Sequence, residues 1–113
     1  SQATLTIRRI WLRLKSCYAK WATAMLERDV EKGLVKRIKA LGGECEKFTS
    51  PARRSVPDRI VTLPGGRIEF VECKRPGEQP TEKQSRDHDR RRALGCMVRV
   101  IDSLEAIDHA YPL

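Results

Sequence analysis

The stretch "VPDRIVTLPGGRIEFVECKRP", residues 56–76, decides how this sequence is read. Two apolar runs, "DRIVTL" and "RIEFVECK", flank "LPGGR", and the Pro-Gly-Gly sequence marks the turn of a β-hairpin. If the turn is centred on Gly65, Asp58 lies directly opposite Glu72 across the strand pair. Such partners stand about 4.5 to 5.5 Å apart at Cβ, where like charges repel. Glu72 and Lys74 leave one face of their strand, while Val71 and Cys73 leave the other. Two carboxylates and an amine therefore converge. They need a cation between the acids, or one acid must keep its proton.

Hard divalent cations favour this set of oxygen ligands. Mg²⁺ in particular is held by one or two carboxylates and keeps water positions open. The backbone carbonyl of Cys73 is a further candidate ligand, and Lys74 is placed to position water or to stabilise charge building on a phosphate oxygen. Taken alone, Glu-x-Lys on an exposed strand is ordinary surface decoration. The aspartate after Pro57, the hairpin register and the apolar strand around Glu72 together favour a site.

Working outward, "LERDVEKGLVKRIKALGG" from Leu26 is a helix with Leu26, Val30, Leu34, Ile38 and Leu41 as its stripe and Gly42 as its stop. Glu27 and Glu31 sit one turn apart beside that stripe. A short strand near Cys45–Phe48 follows, then a polar loop, then the hairpin. Thr81 opens a helix through about Leu94, "MVRVI" is a fourth strand, and "SLEAIDHAY" is a short last helix. "TEKQ" is a capping box, with Thr81 as N-cap and Gln84 reaching back to it. The helix after Thr81 has no apolar residue before Ala93, so it reads as a solvated helix whose Arg86, Arg90, Arg91 and Arg92 face phosphates, and His88 reads as a surface histidine, the alternative being that it faces the same side as Gln84 one turn earlier. Arg53, Arg54, Arg59 and Arg75 surround the hairpin motif as further candidates for gripping a phosphate backbone.

Composition narrows the partner. The 113 residues fit one domain, and 23 Lys and Arg against 15 Asp and Glu leave a charge of +8, which favours nucleic acid. Residues 1–24 hold Arg8, Arg9, Arg13, Lys15 and Lys20 and no acid. They form a basic amphipathic helix or extension, with the main domain over 25–113 and Met25 as an alternative natural start. The helix has several readings: it packs on the core, docks a partner, contacts nucleic acid, or is a transit-like segment. Four separated cysteines and two histidines give no zinc spacing and suggest free thiols in a reducing compartment. No run is long and apolar enough for a membrane span or signal peptide, so an intracellular, cytoplasmic protein of a bacterium or phage-infected cell is expected, with no membrane and no small-molecule cofactor.

Pro57-Asp58 and Glu72-Cys73-Lys74 resemble the PD-(D/E)XK nuclease superfamily. The order helix-with-Glu, "PDRIV", "GGRIEFVECKRPGE", "TEKQ", "GCMVRVIDS" is similar to the virus-type replication-repair nuclease (VRR-NUC) domain over about residues 26–103. The resemblance implies an α/β, restriction-endonuclease-like core with a mixed sheet of about four strands flanked by helices. It implies a Mg²⁺- or Mn²⁺-dependent deoxyribonuclease acting on branched, junction or flap DNA, and its standalone members look like dimeric Holliday-junction resolvases, so a homodimer is expected. It assigns the metal to Asp58 and Glu72, the catalytic lysine to Lys74, the helical acid to Glu31 with Glu27 as fallback, and a further role to Gln84. Two other classes compete: a non-cleaving nucleic-acid-binding module of the same fold, and a scaffold that docks a larger repair protein through residues 1–24.

Overall fold

The computed structural model describes residues 1–10 and 25–113. Helix α1 (Glu27–Ala40) is followed by strands β1 (Glu44–Lys47), β2 (Arg59–Leu63) and β3 (Arg67–Cys73), helix α2 (Glu82–Ala93), strand β4 (Met97–Ile101) and helix α3 (Leu104–Ala110). The sheet order is β1-β2-β3-β4. The first three strands are antiparallel and β4 runs parallel to β3, which makes the sheet mixed, as expected.

The turn fixes the register. Pro64 presets the first corner, Gly65 (φ +90°) and Gly66 (φ +79°) occupy the left-handed region, and the Gly66 amide donates to the Leu63 carbonyl at 3.2 Å. Leu63 then opposes Arg67 and Arg59 opposes Val71, so the ladder is centred on Gly65. A one-residue slip would turn every β3 side chain to the wrong face.

The two faces of the sheet differ in chemistry. On one, Val61, Leu63, Val71, Cys73 and Ile101 pack with Val30, Leu34 and Ile38 of α1 and with Ile107 and Tyr111, forming the apolar core. Each fully buried aliphatic side chain there is worth about 1.5 to 3 kcal/mol. Gly43 is needed where α1 turns into β1, because a Cβ would stand 2.4 Å from the Thr62 carbonyl oxygen. Ser103 caps α3, accepting from the Ala106 amide at 3.0 Å.

The opposite face carries α2, and here the expectation of a merely solvated helix is corrected. Asp87 and His88 are both buried. Asp87 accepts from Arg91 at 2.7 Å and from Arg90 at 3.2 Å, while the Arg91 guanidinium lies over the rings of Phe70 (4.7 Å) and Phe48 (5.1 Å). The burial of α2 is thus ionic and cation–π rather than aliphatic, and so leaves no apolar signal in the sequence.

Residues 2–10 are helical and exposed. The remainder of the basic amphipathic stretch, from Trp11 through Trp21, lies outside the described residues. Cys45, Cys73 and Cys96 are free thiols. Among the described residues, no helix is long and apolar enough to cross a membrane.

Candidate metal centre and basic grooves

Asp58 ends the loop that enters β2, and its backbone carbonyl still pairs with β1, accepting from the Phe48 amide at 2.8 Å. Its side chain turns toward β3, where Oδ2 accepts from the Cys73 amide at 2.8 Å. In an extended strand, the carbonyl and amide of one residue leave on the same edge, so the Cys73 carbonyl faces the Asp58 side as well. Glu72 and Lys74 are buried on the face opposite Val71 and Cys73, as the alternation requires.

Three carboxylates meet at this end of the sheet. Glu27, Asp58 and Glu72 each offer an oxygen, and these atoms lie within 4.8 Å of one another. The helical acid that joins them is Glu27, not Glu31. Glu31 is held by Arg59, whose Nε donates to its Oε1 at 2.7 Å. The same guanidinium donates to the Cys45 carbonyl at 3.2 Å, which fixes Arg59 and Glu31 under β1, one turn away from the cluster.

The electrostatics follow from the crowding. Burial pushes the Glu72 carboxyl up, the hydrogen bond and charge of Asp58 push it further, and Lys74 pulls it back only in part, leaving it at about 9. Burial and then the charge of Asp58 also raise Glu27. Glu72 Oε1 is buried without a hydrogen-bond partner, and so is His88 Nε2, 3.6 Å away. Burial, and then the charge of Arg92, hold the His88 imidazole below its ordinary value. His88 is therefore not the surface histidine expected but the buried alternative. Its position one turn after Gln84 was the available signal, since both leave the same side of α2.

This donor set fits a hard divalent cation. Each acid presents oxygen, one buried oxygen lacks a partner, and a cation between the acids would offset the burial and the repulsion from Asp58 that otherwise keep Glu72 protonated.

The remaining candidates divide. Gln84 closes the capping box, its Oε1 accepting from the Thr81 amide at 2.9 Å and its own amide donating to Thr81 Oγ1 at 3.2 Å. Arg53, Arg54 and Arg90 line a groove of about 590 Å³ together with Lys83, Thr81 and Gln84. Arg91 is engaged by Asp87 and the two phenylalanines, Arg59 by Glu31, and Arg75 by Glu78 at 3.1 Å. Arg86 is exposed on α2.

No family profile matches the chain. It is 56% identical over 77 residues to "Putative nuclease p44" of Acyrthosiphon pisum secondary endosymbiont phage 1, an alignment spanning 68% of this chain and 83% of that protein. A solved structure described as a VRR_NUC domain superposes with a TM-score of 0.70 at 38% identity, covering 74% of this chain and 90% of that one. With this sequence identity spread over most of both relatives, and the hairpin, acids and mixed sheet in place, the chain belongs to the virus-type replication-repair nuclease (VRR-NUC) domain family.

Proposed function

We propose that this protein is a Mg²⁺- or Mn²⁺-dependent endonuclease that hydrolyses phosphodiester bonds in DNA. The observation that carries the reading is the meeting of Glu27, Asp58 and Glu72 within 4.8 Å, beside a buried lysine. A binding module gains nothing from three carboxylates next to a phosphate it must attract. A divalent cation held there supplies Lewis-acid polarisation of a phosphoryl oxygen and a lowered pKa for water.

The chain's own groups divide the remaining work. Asp58, Glu72 and Glu27 are the ligand set, with the Cys73 carbonyl on the same edge. Asp58 is oriented by the Cys73 amide, which holds its carboxylate beside Glu72 where the cation would sit. Lys74 places an ammonium on the Glu72 side of the strand, where it stabilises negative charge growing on the phosphate. Gln84 anchors the start of α2 at the rim. Arg53, Arg54, Lys83 and Arg90 present positive charge along the groove beside Gln84, a surface that grips phosphates without reading bases.

Branched or flapped DNA is the preferred substrate in this reading, and a homodimer is the active species, because one small domain with one acid cluster needs a second copy to cut two strands. The test is a panel of labelled junction, flap, single-stranded and duplex DNAs incubated with Mn²⁺. Cleavage of branched substrates that disappears in chelator is the expected result, and a protein that cuts none of them with any divalent cation refutes it. Sedimentation at twice the chain mass is expected alongside, and a strict monomer at high concentration removes the dimer.

A further inference from the structure

A second basic surface lies on the other layer of the molecule. Along the outer face of α1, Arg28, Lys32, Lys36 and Lys39 recur every three or four residues and, with Lys47 of β1, line a groove of about 560 Å³. Among the described residues, none of these five cations has a carboxylate within ion-pair distance. Like charges at such helical spacing repel by about 0.2 to 0.5 kcal/mol per pair, so the stripe is costly unless an anion covers it. Glu31, the one acid among the described residues that line the groove, is already neutralised by Arg59.

The groove begins one helical turn from the acid cluster. Arg59 and Glu31 line its near end, and they are respectively the chain neighbour of Asp58 and the residue one turn beyond Glu27. From Arg28 to Lys39 the stripe runs about 16 Å at the ordinary helical rise. That length spans about five nucleotides of one strand at 3.4 Å per step.

We propose that the α1 groove is a second phosphate-backbone track that carries a DNA arm away from the acid cluster, opposite the track beside α2. This deepens the nuclease reading and rests on it. A linear, evenly spaced row of ammonium and guanidinium groups without base-reading geometry matches the phosphates of a strand rather than a compact anion. The chain's own residues 1–24 are excluded as its occupant by charge, since they carry five cations and no acid. With tracks leaving the acids on two layers of the fold, the protein holds DNA on both sides of the bond to be cut, the arrangement a bent or branched substrate fills.

The test uses the full chain in chelator, where DNA binds without being cut. The variant Lys32→Gln, Lys36→Gln, Lys39→Gln should weaken branched-DNA binding on the order of 100-fold at 0.15 M salt and flatten the dependence of log affinity on log salt by about 2 to 3. Its Mn²⁺ binding should match the wild type, which confirms an intact fold. In parallel, acetylation footprinting of the wild type should show Lys32, Lys36, Lys39 and Lys47 protected by DNA, a readout that needs no variant to fold. Equal labelling with and without DNA, or an unchanged salt slope, overturns the proposal while a wild type that still binds and cuts leaves the nuclease reading standing. A wild type that neither binds nor cuts DNA overturns both.

Discussion

Replacing Glu72 by Gln in the metal-free protein is expected to make the domain more stable. Glu72 ionises at 4.5 in the ordinary state and at about 9 in the fold, so the folded protein must take up a proton there that the unfolded chain lacks at neutral pH. A pKa raised by folding contributes stability that is fully present below about pH 4.5 and is lost as pH climbs through about 9. At pH 7 the penalty is about 3 kcal/mol, from about 1.4 kcal/mol per unit of separation between 4.5 and 7. Gln carries no charge, keeps the side-chain shape, and its amide can still donate to Asp58, so Glu72→Gln removes most of this cost. A gain of about 1 to 3 kcal/mol moves the Tm up by about 4 to 12 °C for a domain of this size. Thermal unfolding in EDTA at pH 7 measures it, and repeating the scan at pH 4.5 should abolish the difference. With Mn²⁺ at a thousandfold excess over Kd the order should reverse, because the wild type gains about 4.1 kcal/mol and the variant gains little. A variant no more stable than wild type at pH 7, or one whose advantage ignores pH, refutes the reasoning.

Three further outcomes are expected. Lys74→Ala should lower the cleavage rate on the order of 10²- to 10³-fold while DNA affinity in chelator stays near wild type, and a variant that cuts normally removes Lys74 from the reaction. Glu27→Gln should weaken Mn²⁺ binding measured by calorimetry, whereas Glu31→Gln should leave it intact and cost about 1 kcal/mol of stability through the loss of the partly shielded Arg59 pair, so the opposite pattern restores Glu31 as the helical acid. Burial raises Glu69, but hydrogen bonds from Arg99 at 2.8 Å and Tyr111 at 2.7 Å outweigh it and leave the carboxyl lowered. Stability from that group is therefore present above the ordinary carboxylate range and lost as pH falls through the lowered value, so acid titration of Glu69→Gln should show a shallower loss than wild type, and superimposable curves would refute it.

The hairpin was legible in the sequence because local rules determine it. Pro-Gly-Gly sets the turn, the turn sets the register, and the register brings Asp58 and Glu72 together from either side of Gly65. The choice between Glu27 and Glu31 was not legible. Helical periodicity puts both on one side of α1, and what separates them is how far α1 slides along the sheet, a tertiary quantity settled by the clasp of Arg59 on Glu31. Helix α2 hid its buried side for another reason. Periodicity arguments detect apolar stripes, and the residues turned inward here are Asp87 and His88, with Arg91 laid over Phe48 and Phe70. The isolated polar residues gave no period to find.

That lopsided construction has a consequence for access. The α1 layer is sealed with aliphatic side chains, whereas α2 meets the sheet through Arg91 on the Phe48 and Phe70 rings, and its buried Asp87 reaches outside the helix to the surface residue Arg53 at 3.8 Å. An incoming polyanion competes for that exposed Arg53 guanidinium, so the tie between the entry loop and α2 is one its own charge can loosen, while the oily layer behind the sheet stays shut.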